Sequence, residues 1–212
     1  MTISGDKAAP FRNRKGTISQ NVMVACDFDL NFTFISCGWE GSATNARVLR
    51  SALLKGFKVP QGKFYLIDGG YENTPFFLAP YRGVPYHLKE FGRGRRAPQN
   101  YKELFNHHHA VLRNHIERAL GVLKKRFPIL KVGTHHTIEN QVKLPAAAAI
   151  LHNIIHLHKG DESWLDNQTN NIPLETYVDL PDGDVPQNHQ VNNEGNNLRD
   201  MIAHQMWADY RQ

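Results

Sequence analysis

The stretch NHIERALGVLKKRF, residues 114–127, decides how the chain is read. Its apolar residues Ile116, Leu120, Leu123 and Phe127, continued upstream by Leu112, recur at three- or four-residue steps. That period predicts a long amphipathic helix from about Tyr101 to Phe127, stopped by Pro128, which cannot extend it. Within the stretch Arg118, Lys124, Lys125 and Arg126 are basic, and Glu117 alone is acidic. Because it directly follows Ile116, Glu117 lies at the margin of the buried stripe. A carboxylate there either pairs with Arg113 one turn earlier or faces a cation.

Upstream, TISQNVMVAC (17–26) and FTFISC (32–37) flank the turn residues DFDLN and predict a β-hairpin. SATNARVLRSALLKG predicts a helix that starts at an N-cap Ser42, puts Val48, Leu49, Ala52 and Leu53 on one face, and stops at Gly56. KFYLID (63–68) is a short, mostly apolar run closed by Gly69 and Gly70, the pattern of a buried strand opening onto a loop with Asp68 as its last residue. Residues 72–99 are rich in Pro, Gly and aromatics and carry GRGRRAPQN, which has the composition of a basic loop. A second helix is expected from Glu139 to His158, with Pro145 starting or kinking it. Residues 159–195 are polar and acidic, with too few apolar groups to offset ordering entropy, so a flexible linker is expected there. It leads into a C-terminal helix over 196–212 in which Leu198, Ile202 and Met206 share a face.

With 212 residues and 41% hydrophobic content, the chain has material for one main domain and a tail. No apolar run approaches a membrane span, and the first residues, MTISGDKAAP, lack the apolar centre of a signal peptide. Cys26 and Cys37 have no zinc or disulfide spacing and read as reduced thiols of the cytosol or nucleus. The net charge of +5 is unevenly spread. Residues 1–143 hold 22 Lys+Arg against 10 Asp+Glu, whereas residues 144–212 hold 3 against 10. A basic surface of this kind suits a polyanion, since each phosphate it neutralises releases counterions; a plainly solvated basic face has the same composition.

Carboxylates delivered from a strand end and from a helix can converge on divalent cations, and Mg²⁺ favours oxygen ligands. Asp68 and Glu117 are the candidates, although an Asp before Gly-Gly is also an ordinary turn former. Arg93, Arg95, Arg96, Lys124, Lys125 and Arg126 are the candidate DNA-phosphate contacts. His107, His108 and His109 form a conceivable metal cluster, and His152 and His156 have the i, i+4 spacing of a zinc pair, but the latter two sit on an apolar helix and read as packed and hydrogen-bonded. Trp39 reads as a core or site-wall residue.

The strings RNRKGTISQNV, CDFDLNFTF, GWEGSATNARVL, YLIDGGY, NHIERALGVLKKRFPIL and LHNII, in this order, resemble the catalytic domain of PIF/Harbinger transposases and the nucleases derived from them, the DDE superfamily-4 endonucleases. The resemblance covers about residues 12–158. It implies an α/β chain with a ribonuclease-H-like mixed sheet flanked by helices, followed by the acidic linker and the terminal helix. It also implies three acidic residues holding divalent metal, Mg²⁺ or Mn²⁺, for DNA cleavage. By position Asp68 matches the family's second aspartate and Glu117 its glutamate. The first aspartate, expected on a first strand in a DGTHI-like motif ahead of RNRKG, has no match: Asp6 falls in an intervening loop, and Asp27 and Asp29 belong to the hairpin turn. Asn45 stands where family members carry aspartate and can contribute only weakly to a cation. A chain that lacks that strand and carboxylate is expected to be catalytically impaired. The family further implies nuclear localisation and a separate Myb/SANT-like DNA-binding partner. The alternative function is that of a domesticated, non-catalytic nuclear protein using the fold as a chromatin interaction surface.

Overall fold

Short alternating segments and two long amphipathic helices give a mixed α/β architecture in the computed structural model, which describes residues 5–13, 15–85, 97–132, 136–158 and 189–212. The chain divides into two compact units, one formed by Met1–Phe57 and His115–Ile172, the other by Lys58–Asn114 and Pro173–Gln212. The helix α2 (Tyr101–Arg126) is continuous and gives its first half to the second unit and its remainder to the first.

In the first unit β1 (Gln20–Cys26) pairs antiparallel with β2 (Phe32–Glu40), as the hairpin reading expects. Asp27 builds the turn: its Oδ1 accepts from the backbone N–H of Asp29 (3.0 Å) and of Asn31 (2.9 Å). Leu30 is thereby held at φ 66°, the left-handed region that side chains with a Cβ rarely enter. Gly41 follows β2. A Cβ there would lie 2.6 Å from the carbonyl oxygens of Phe11 and Ser19, so only glycine lets the amino-terminal turn close onto the strand end. Helix α1 (Asn45–Leu54) is capped by Thr44, whose hydroxyl accepts from Arg47 N–H, rather than by Ser42, and it buries Val48 and Ala52.

The predicted helix over Glu139–His158 is divided into α3 (Ile138–Gln141) and α4 (Leu144–Leu157), because Pro145 supplies no N–H and therefore sits in the first turn of α4. Small residues Ala148 and Ala149 let α4 pack closely, forming a core with Phe32, Ala119 and Leu123 that Ile35, Ile116, Leu120 and Phe127 extend. Asn153 then acts as a clamp. Its Oδ1 accepts from Phe32 N–H (2.9 Å) and its Nδ2 donates to Phe32 C=O (2.8 Å), so one side chain replaces a strand partner at the start of β2. Beside it His152 Nε2–H donates to Leu30 C=O (3.1 Å), which leaves Nδ1 to accept from Arg126 Nη1 (3.0 Å). His152 is therefore packed and hydrogen-bonded, as its apolar helix suggested.

In the second unit β3 (Tyr65–Leu66) runs parallel to β4 (Phe77–Leu78). Only two residues of the run KFYLID pair as strand. Ile67 N–H still donates to Leu78 C=O (3.0 Å), and Asp68 lies beyond, in the turn rather than on the strand. Helix α5 (His189–Tyr210) is longer than the sequence suggested and packs Ala203, Ile202 and Met206 against Tyr81 and Phe105. Gly195 makes the approach possible: a Cβ there would fall 2.5 Å from Thr74 Cα. Arg199 lies 4.1 Å over the Tyr81 ring, and Tyr81 Oη donates to Asp200 Oδ1 (2.5 Å). Asn106, fully buried, accepts from Tyr81 N–H (2.8 Å) and donates to Tyr81 C=O (3.0 Å), tying the β4 exit to α2.

Candidate metal centre

Asp68 is half-buried in the loop between β3 and β4. The loop is pinned at several points. Tyr71 N–H donates to Asp68 C=O (3.1 Å), Arg82 Nη2 to Gly69 C=O (3.5 Å), and Asn73 Oδ1 accepts from Ala79 N–H (2.9 Å). The Asp68 carboxylate itself accepts no hydrogen bond among the described residues. Its charge is felt by its neighbour: burial pushes the Tyr71 phenol pKa up, Asp68 pushes it further, and the Arg113 guanidinium opposes both. Asp68 thus sits in a fixed, partly desolvated loop with an arginine in electrostatic range of its turn.

Glu117 belongs to the first unit and is half-buried on α2, between Ile116 and the core residues Ala119 and Leu120. Helical phase explains the position, since a residue next to the buried stripe can keep its charged end at the edge while its stem packs. Asn45, the first residue of α1, is half-buried, and its amide makes no hydrogen bond among the described residues. The described residues contain no group of three or more His, Cys, Asp or Glu side chains placed to hold a metal ion. Asp68 and Glu117 each carry hard oxygen donors of the kind Mg²⁺ or Mn²⁺ takes, but they belong to different units, Asp68 to the second and Glu117 to the first.

The histidine run is structural where it is best defined. His109 is buried, with Nε2 3.0 Å from Leu78 C=O, and burial pulls its pKa down to about 4. The backbone bond opposes that shift, while Arg113 and Arg199 add to it. Its imidazole is neutral at pH 7, and the nitrogen facing Leu78 is committed. Among the predicted phosphate contacts, Lys124 is exposed, whereas Lys125 and Arg126 are half-buried. The Lys125 ammonium nitrogen is enclosed, and Arg126 is engaged with His152. Arg93, Arg95 and Arg96 lie outside the described residues.

Comparison with known proteins decides what this arrangement belongs to. The family model described as DDE superfamily endonuclease matches residues 2–153. The chain belongs to the DDE superfamily of endonucleases. Among curated proteins, the rat "Putative nuclease HARBI1" is 28% identical over 193 residues, covering 88% of this chain and 50% of that protein. The human protein of the same name is 27% identical over 180 residues, covering 82% of this chain and 48% of its own. The mouse protein is 30% identical over 158 residues, 72% of this chain and 41% of its own. The chain spans about half the length of the curated relatives it matches. No solved structure matches it. The Harbinger resemblance read from the six strings is therefore borne out. The clamp residue Asn153, inside LHNII, was the part of the resemblance whose work the sequence did not reveal. Its polar character on an otherwise apolar helix was the available signal.

Proposed function

We propose that this chain is the catalytic portion of a Harbinger transposase-derived, divalent-metal-dependent DNA endonuclease, in which Asp68 and Glu117 are the metal-holding carboxylates. The reading rests first on Asp68, an unpaired, half-buried carboxylate in a loop pinned on both sides, inside a chain matched by the endonuclease family. DDE endonucleases generally use divalent metals. Such a metal, when bound, polarises a phosphoryl oxygen and lowers the pKa of its water. The protein's share is to fix oxygen ligands: the turn from Asp68 to Tyr71 sets one, and α2 sets Glu117 beside an apolar wall. Arg113 would offset part of the local negative charge when no metal is present.

Residues 12–158 form the endonuclease domain in this reading, on a ribonuclease-H-like core. Most of the linker expected over 159–195 lies outside the described residues, and its last seven residues, 189–195, belong to the terminal helix α5. The protein works in the nucleus on DNA held through its phosphates, beside a separate Myb/SANT-like DNA-binding protein. We further propose that the chain by itself is catalytically impaired. Asn45 brings an amide where the resemblance implies a carboxylate. A neutral amide in place of a carboxylate lowers the charge that draws cations and weakens the hold on the in-line geometry. The same deficit favours a second reading, a nuclear interaction protein that keeps the fold without cleavage. A supercoiled-plasmid nicking assay with Mn²⁺ tests the proposal. No nicking by this chain is expected; robust nicking abolished by Glu117→Ala would refute the impairment while supporting the site.

A further inference from the structure

Of the described cations expected to meet DNA, Lys124 is exposed but Lys125 and Arg126 are half-buried, and further exposed cations lie elsewhere in the same unit. In the first unit Arg12, Lys15, Arg47 and Arg50 are all exposed. None of their side chains meets a carboxylate among the described residues. Two of them flank or lie in the amino-terminal turn and two lie on α1, and both segments are held locally. The turn over residues 13–17 is held by Asn13, whose Oδ1 accepts from Lys15 N–H (3.0 Å) and Thr17 N–H (3.1 Å), while Arg12 Nη1 donates to Gly16 C=O (3.2 Å). Ser42 N–H donates to Pro10 C=O (3.2 Å) and Asn21 Nδ2 to Ala43 C=O (3.1 Å), which sets the approach to α1 against the segments that flank this turn. Gly41 closes the same junction, its backbone lying against Phe11 and Ser19. One turn into α1, Arg47 rests 5.5 Å over the Trp39 ring, so its guanidinium is positioned before any partner arrives. Arg50 follows one turn later, and α1 has no acid in its first turn. The nearest acid in sequence, Glu40 at the end of β2, is half-buried and pairs with none of the four.

We propose that Arg12, Lys15, Arg47 and Arg50 form a docking surface for the phosphate backbone of duplex DNA. Trp39 serves it by holding Arg47 in place rather than by stacking on a base. The surface takes its partner from the DNA-acting reading above and does not require the metal. Unpaired, pre-positioned arginines suit phosphate oxygens because the guanidinium fork can donate two hydrogen bonds to one phosphate. Such contacts fix register on the duplex without reading sequence.

The experiment is fluorescence anisotropy of a labelled random-sequence duplex with the full chain in EDTA, across monovalent salt. Each phosphate contact contributes about 0.9 to the slope of log K against log [salt]. The variant carrying Arg12→Ser, Lys15→Ser, Arg47→Ser and Arg50→Ser should lose about 3.6 of that slope. The pair Arg47→Ser with Arg50→Ser, both exposed on α1, should lose about 1.8 and keeps the test available if the fourfold variant folds poorly. Replacing the three arginines by lysine should preserve the slope. Wild-type binding whose slope is unchanged in the paired and fourfold variants would overturn the docking surface alone. No wild-type binding even at low salt would overturn the DNA-acting reading with it.

Discussion

Replacing Asn153 by alanine removes both hydrogen bonds that hold the start of β2. The side chain is only partly exposed, and its two partners are the N–H (2.9 Å) and C=O (2.8 Å) of a single residue, Phe32, whose own side chain is buried in the core. After the change those backbone groups face the truncated side chain with no replacement in the fold. Leaving a buried backbone group unsatisfied costs roughly 1–3 kcal/mol, and partial access of water to the site puts the sum for two groups at about 2–4 kcal/mol. Asn153→Asp separates the halves: it keeps the acceptor for Phe32 N–H but turns a donor into a negative charge against Phe32 C=O, so it should cost at least as much as alanine. The assay is urea unfolding followed by far-UV circular dichroism and by tryptophan fluorescence, with the slope compared between variants to detect loss of two-state behaviour. A cost below about 0.5 kcal/mol for Asn153→Ala, the range of ordinary surface substitutions, would refute the clamp.

Two further outcomes follow from the second unit. Gly195→Ala should destabilise it by about 1–3 kcal/mol despite the better helix propensity of alanine, because the new Cβ would meet Thr74 Cα at 2.5 Å; thermal unfolding checks this, and an unchanged or raised Tm would contradict the close approach. His109 sets a pH dependence. Its folded pKa of about 4 lies below the ordinary 6.5, so above pH 6.5 the histidine is neutral in both states and its contribution is complete. As pH falls from 6.5 towards 4 the unfolded chain takes up the proton first, and roughly 3 kcal/mol of stability is lost across that window. His109→Gln should flatten that part of the stability profile, and a profile identical to wild type would show that other groups cause it.

How far the sequence reached depended on whether the signal was local. The hairpin, α1 and α2 follow from period and turn chemistry, and they are present with boundaries shifted by a few residues. The Asp68 strand was over-read because an apolar run specifies burial better than pairing: only Tyr65 and Leu66 have strand partners, and Asp68 belongs to the turn. The break between α3 and α4 was visible as Pro145, which has no N–H to give a helix interior and takes the first turn of α4. Arg126 looked like a free cation because nothing in its neighbourhood reveals His152, 26 residues away. The surface of Arg12, Lys15, Arg47 and Arg50 was hidden for a similar reason. Gly41 and Ser42, which lead into α1, meet Pro10, Phe11 and Ser19 on either side of the amino-terminal turn, a long-range contact that no local pattern announces. Asp68 and Glu117 were found through family wording, since a carboxylate's sequence context does not say what its oxygens face.

Calorimetric titration with Mn²⁺ of the wild-type chain, Asp68→Asn and Glu117→Gln measures whether the two acids act on one cation. Weak but saturable binding is expected in the wild type, and either substitution alone should abolish it. Binding that survives Glu117→Gln with unchanged affinity, or that is absent from the wild type, would contradict a shared cation.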